Sequence, residues 1–315
     1  MPELISTETV RCCVCGGDDY VEVGTGRDFE YDTCANSWTF VRCESCGHHY
    51  LRVRPSPETL GTIYPRNYGN YSNSERPSLT FKLKAFIERR TLWRLAALSR
   101  GDAAIYDIGC GDGRLLDNLR AVFPNASVLA GCEIGEFAAE AAMRKGYAVE
   151  IGGFESLPAR AESYDLIFLI QVLEHLSDPP AAIRKIATML RPGGLAVIET
   201  PSTDCLDFRL FRKRHWGGFH FPRHFNLFQR RNAERLLAEA GLTPIGYGVK
   251  LQPVHWVWTA HHWLQDKGAP GWLYRSFNIK NPLWIGLATL IDAMQVAILG
   301  QSSNMQIVVR KGAVS

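Results

Sequence analysis

Short apolar runs alternate with helical spacings through the middle of the chain. Ile105–Ile108, Val128–Glu133, Val149–Ile151, Tyr164–Ile170 and Leu195–Glu199 are each strand-sized and rich in Val, Ile, Leu or aromatic residues. Between them the period changes. Leu115, Leu116, Leu119, Val122 and Phe123 share one helical face, as do Ile183, Ile186, Ala187 and Leu190. Asp178 caps the second of these helices with Pro179 at its first position, and Arg191-Pro192-Gly193-Gly194 stops it. A helix over Gln229–Ala240 ends at Gly241, a sixth strand follows over Leu242–Lys250, and Met305–Arg310 reads as the last strand. Strands alternating with helices predict an α/β domain built on a largely parallel sheet.

The first strand runs into Asp107-Ile108-Gly109-Cys110-Gly111-Asp112-Gly113. Closely spaced glycines at a strand-to-helix turn let the backbone bend sharply and let a ligand approach it. A dinucleotide site needs a further glycine three positions after the second, and Arg114 stands there, so that reading fails. The acid-x-Gly-x-Gly-x-Gly pattern instead resembles the first motif of class I S-adenosylmethionine (SAM) methyltransferases. The block Tyr164–Ile170 followed by Gln171-Val172-Leu173-Glu174-His175-Leu176-Ser177-Asp178-Pro179 resembles a later motif of the same family.

The resemblance covers about residues 101–250 plus the final strand. It implies a Rossmann-like seven-stranded sheet whose last strand is antiparallel. It also implies that Gly109, Gly111 and Gly113 pass beneath the methionine part of SAM, with Asp107 on its amino group. Glu133, ending the second strand, is expected to accept the ribose hydroxyls, and Gln171 to contact SAM after the fourth. The acid that often meets the adenine amino group is replaced by Gly153, which leaves Phe154 as the expected adenine neighbour.

Ahead of this domain, Cys12-Cys13-Val14-Cys15-Gly16 and Cys43-Glu44-Ser45-Cys46-Gly47 form two C-x-x-C-Gly knuckles. Paired thiolates on two tight turns can complete a tetrahedral Zn²⁺ site, so Cys12, Cys15, Cys43 and Cys46 are the expected ligands of a structural zinc. Cys13 and Cys34 are spare thiols, and His48 or His49 is a possible substitute ligand. Strand-like runs at Tyr20–Val23 and Trp38–Arg42 suit a small zinc-ribbon-like β module. Nine cysteines and no basic-then-apolar leader before Cys12 suggest a reducing, cytoplasmic setting. The expected divisions are a module over 1–52, a linker or lid with a leading helix over 53–100, and a SAM-binding domain over 101–315. In the linker, Tyr64, Tyr68 or Tyr71 is placed to close the cleft, and the helix is expected over Leu79–Leu98.

After the fifth strand, Phe211–Phe228 carries Arg212-Lys213-Arg214-His215-Trp216-Gly217-Gly218 and Phe221-Pro222-Arg223-His224. It resembles a block of bacterial small-molecule and sugar-modifying methyltransferases and should overhang the methyl group. His224 is the first candidate base, with His220, His215 and Glu174 behind it. Arg223 offers a planar fork for an acceptor carboxylate or phosphate.

An apolar helical insertion at 251–304 precedes the last strand. Its His255-Trp256-Val257-Trp258 and Leu283–Gly300 stretches suggest a lid, a homodimer surface or a peripheral membrane contact, with the second stretch a buried or interface helix. The leading function is SAM-dependent methyl transfer to a small-molecule acceptor such as a sugar nucleotide, a glycan-linked group or a secondary metabolite. An RNA methyltransferase using the zinc module is the alternative, and a non-catalytic SAM-binding scaffold the second. A net charge of +3 and an apolar insertion argue against nucleic acid as a partner.

Overall fold

The computed structural model describes residues 2–65, 89–90, 92–98 and 102–312. Tyr68, Tyr71 and most of the helix expected over Leu79–Leu98 lie outside these. Strands β1 (Thr7–Thr9), β2 (Tyr20–Gly26), β3 (Trp38–Cys43), β4 (His49–Leu51) and β5 (Val53–Pro55) make the N-terminal part. The main sheet follows with β6 (Ala104–Ile108), β7 (Val128–Glu133), β8 (Ala148–Ile151), β9 (Tyr164–Ile170) and β10 (Leu190–Pro201). The two-residue β11 (Asn226–Leu227), β12 (Leu242–Val249) and β13 (Asn304–Lys311) complete the strands.

The seven-stranded sheet has the order β12-β13-β10-β9-β6-β7-β8, with β13 antiparallel to both its neighbours. This is the expected fold. Strand β6 is buried at every position, because helices cover both faces of a parallel sheet and leave no polar side. The fifth strand starts at Leu190 rather than Leu195. Its register on β9 shifts between those residues, so Arg191–Gly194 continue the strand through an irregularity instead of forming a separate turn.

Chain order reverses between β6 and β9: β7 and β8 lie to one side, β9 and β10 to the other. In open α/β sheets ligands enter the crevice outside the strand ends at such a switch point. The loops that leave β6 and β9 there are Gly109–Gly113 and Gln171–His175.

The N-terminal strands do not close on themselves. A four-stranded sheet of order β11-β4-β3-β2 takes its outer strand from residues 226–227 of the main domain, pairing Asn226 with Tyr50 and Leu227 with His49. Behind it, Trp38, Phe40, Leu51, Trp216, Phe219, Phe221 and Phe225 form a common aromatic core. The module and the 211–228 loop therefore share one hydrophobic interior.

The insertion is helical, over Pro253–Asp266, Gly271–Tyr274 and Pro282–Leu299. The first of these helices packs on the 211–228 loop, where the Gly217 amide donates to Thr259 Oγ1 at 2.8 Å. A Cβ on Gly217 would sit 2.3 Å from the His255 carbonyl, so only glycine permits this approach.

Of the two expectations for the helix Pro282–Leu299, buried or interface, the structure does not bury it within the chain. Its buried residues are Ala288, Asp292 and Gln295, whereas Leu283, Leu287, Leu290, Met294, Ile298 and Leu299 are exposed. Asp292 faces inward because it accepts from the Gln252 amide, Gln295 and Ser302.

Candidate functional site

Gly109, Gly111 and Gly113 have φ of 73°, 54° and 84°, a left-handed path that L side chains avoid. Gly113 heads the helix Arg114–Val122. Glu133 organises the same turn: its carboxylate accepts from the Gly111 amide at 2.9 Å and from the Gly135 amide at 2.8 Å. Asp107 is buried. Burial pushes its carboxyl up to about 8, with the nearby Glu133 charge adding to this and Arg114 opposing it. An ammonium group beside it, as the amino end of SAM would supply, would favour the charged carboxylate and draw that value back down. These residues fit the methyl donor.

Across the switch point Gln171 adopts φ 55°, unusual for a side-chain-bearing residue. Its amide donates to the Glu199 carbonyl at 2.7 Å and its side chain donates to Asn304 Oδ1 at 3.0 Å. Asn304 in turn donates to Glu199 Oε1 at 2.8 Å. The sequence reading missed this network, because it joins the ends of β9, β10 and β13 and no local spacing announces it. Phe154 is buried in the core, with the Lys185 ammonium 4.5 Å from its ring centroid.

On the acceptor side, Glu174 and His175 sit on the single 3₁₀ turn after β9, and His224 descends from the 211–228 loop. Glu174 is wholly buried. Its Oε2 accepts from Thr200 Oγ1 at 2.8 Å, while its Oε1 has no hydrogen-bond partner among the described residues. Burial raises its carboxyl to about 8.

Nδ1 of His224 lies 2.8 Å from the Gly218 carbonyl and Nδ1 of His175 lies 3.0 Å from that of Arg223. A carbonyl can accept and not donate, so neutral rings carry their proton on Nδ1 and present a lone pair at Nε2. Burial, and then neighbouring histidines, depress both rings; His175 falls to about 3. Tyr64 Oη lies 3.1 Å from His175 Nδ1, which places the one described tyrosine of the linker against this group. His220, at φ 42°, turns Nδ1 to Glu30 at 2.8 Å. His215 lies apart, paired with Asp266 at 2.9 Å.

Arg223 is a further correction. It is fully buried and spends its fork inside the protein, on Asp28 at 3.1 and 2.9 Å and on the Ile63 carbonyl at 2.7 Å. Asp28 arrives from the loop after β2, so no acceptor reaches this guanidinium. Asp28 went unnoticed in the sequence because its partner lies 195 residues away.

Cys12, Cys15, Cys43 and Cys46 converge at the knuckles, with Sγ–Sγ edges of 3.5 Å for the pairs Cys12–Cys46 and Cys15–Cys43. Zinc–sulfur bonds of about 2.3 Å require tetrahedral edges of about 3.8 Å, so the cage fits a four-thiolate ion. His48 and His49 are not part of it. His48 Nε2 contacts Cys13 and Asn226, and His49 Nδ1 contacts Thr203.

Residues 82–246 match the family model described as a methyltransferase domain. A malonyl-[acyl-carrier protein] O-methyltransferase of Hahella chejuensis is 32% identical over 155 residues, which are 47% of this chain and 54% of the relative. A ubiquinone biosynthesis O-methyltransferase of Parvibaculum lavamentivorans is 35% identical over 102 residues, 31% of this chain and 40% of the relative. The chain thus spans about half or less of the length of these curated relatives. Among solved structures, a candidate sarcosine dimethylglycine methyltransferase from Galdieria sulphuraria superposes with a TM-score of 0.51 at 15% identity. That match covers 74% of this chain and 87% of the other, a likeness of fold.

Proposed function

Because the chain belongs to the methyltransferase-domain family, whose model covers more than half of it, we propose that it moves the methyl group of SAM to a hydroxyl of a small-molecule acceptor. One observation carries the reading. The left-handed glycine turn, the buried Asp107 and the amide-held Glu133 meet at the switch point of the sheet, where a donor's amino, ribose and sulfonium groups would lie side by side.

Methyl transfer is an in-line displacement. The S–CH₃ bond breaks, its electron pair stays on sulfur, an O–CH₃ bond forms and the hydroxyl proton leaves. The chain's share is alignment plus a place for that proton's departure. Glu174, His175 and His224, beyond the end of β9, stand where the acceptor would lose it. Oxygen as the acceptor atom draws support from the names of the relatives. The four-cysteine cage would hold zinc as a structural ion, since four protein ligands leave no open position. The apolar face of Pro282–Leu299 would serve contact with lipid or with a second copy, not the chemistry.

Calorimetric titration with SAM and with S-adenosylhomocysteine tests the donor half. The native chain should bind both in the micromolar range, and Asp107→Ala and Glu133→Ala should each weaken binding at least ten-fold. A folded chain that binds neither compound would remove the reading.

A further inference from the structure

Glu174, His175 and His224 present three donor atoms to one point. Nε2 of His224 lies 3.9 Å and Nε2 of His175 4.0 Å from Glu174 Oε1, and one ligand atom from each of the three residues lies within 4.8 Å of the other two. The two rings stand edge to face with centroids 4.7 Å apart. Those separations are too long for hydrogen bonds. They lie slightly beyond the donor–donor spacing of about 3.4 Å that a tetrahedral ion with bonds of about 2.1 Å imposes. Small side-chain rotations close the gap.

Each donor is also oriented from behind. Gly218 and Arg223 carbonyls take the two Nδ1 protons, and the Thr200 hydroxyl occupies Glu174 Oε2. Such outer contacts fix the tautomer and aim of metal-bound histidine and carboxylate. Glu174 Oε1 is buried and unpartnered among the described residues, a costly state for a carboxylate oxygen that a cation would relieve.

We propose that Glu174, His175 and His224 form a second metal site, a two-histidine, one-carboxylate centre for a divalent transition-metal ion. Nitrogen and oxygen donors suit Fe²⁺, Co²⁺, Mn²⁺ or Zn²⁺, and three protein ligands leave coordination positions for an acceptor oxygen. The centre differs in kind from the cysteine cage, which is soft and closed. His224 is then a ligand rather than a free base. The cation would bind an acceptor hydroxyl and ease loss of its proton to water. The site extends the acceptor side of the proposed function, yet ion binding stands or falls without it.

The test uses untagged full-length chain loaded with one molar equivalent of zinc, which the four-thiolate cage takes first, and then titrated calorimetrically with Co²⁺. One further ion should bind per chain with micromolar Kd, giving the weak visible absorption of nitrogen and oxygen ligands. Glu174→Gln and His224→Ala should each raise that Kd at least ten-fold. His175→Ala, at a more accessible position, should do the same. Far-ultraviolet circular dichroism and S-adenosylhomocysteine binding check that each variant is folded. No ion beyond the cysteine cage, or a Kd unchanged in folded variants, overturns the site. Cobalt binding without any S-adenosylhomocysteine binding by the native chain would instead overturn the methyl-donor reading and leave the metal site standing.

Discussion

At the scale of single residues, the molecule keeps two carboxyl groups in opposite states, and each leads to a measurement. Asp28 is buried with Arg223, whose paired fork outweighs the burial that would otherwise raise its pKa. Removing one member strands the other in the interior, so Asp28→Ala should cost about 3–5 kcal/mol in urea unfolding. Arg223→Leu combined with Asp28→Leu should cost less than the sum of the singles. Asp107 is raised to about 8 by burial. Between about pH 4 and pH 8 the folded chain therefore holds a proton that the unfolded chain has released, and stability falls as pH rises. This carboxyl contributes up to about 1.4 kcal/mol per pH unit there. Asp107→Asn should flatten the fall and gain on the native protein at pH 8, as urea titrations at about pH 6 and pH 8 would register. Asp107, the glycines and the knuckle cysteines were legible because their neighbours are close in sequence. Arg223 was misread because an arginine in a motif looks the same whether its partner is a ligand or a residue far along the chain.

At the scale of elements, the helix Pro282–Leu299 reverses the usual arrangement, with Asp292 and Gln295 inward and leucines outward. Two substitutions on one helix should then behave contrary to hydrophobicity. Leu290→Lys, at a residue 65% exposed, should leave stability within about 0.5 kcal/mol. Asp292→Ala should cost about 1–3 kcal/mol, since it leaves the Gln252 amide and the Ser302 hydroxyl without their acceptor. Denaturant midpoints of the two variants decide the matter. The strands of the main sheet were readable to within a residue or two, apart from the start of β10, because burial on both faces writes itself as an unbroken apolar run. The orientation of this helix was not readable. A segment apolar on nearly every side gives no stripe to assign, and two polar residues alone decided its face.

At the scale of the whole molecule, the alternation of strands and helices predicted the seven-stranded sheet, while the union of module and domain stayed hidden, since it joins residues far apart in the chain. Asn226 and Leu227 give the N-terminal sheet its outer strand, and the carbonyl of Phe225, beside His224, accepts from the Leu51 amide at 2.9 Å. Losing the zinc that the cysteine cage is proposed to hold should therefore do more than loosen the knuckles. Cys12→Ser with Cys46→Ser, which opens the cage and leaves Glu174, His175 and His224 in place, should lower the Tm by several degrees and reduce the proposed methyl transfer together; unaltered activity in the double variant would show that the two parts are uncoupled. The same shared strand bears on synthesis. Tyr50 leaves the ribosome 176 residues before Asn226. At about 5–20 residues per second, β4 waits roughly 9–35 s with its outer edge bare. A newborn chain thus offers an unpaired strand to its neighbours on a polysome before its own 226–227 segment arrives, and slower translation of residues 52–225 should increase aggregation of the nascent protein.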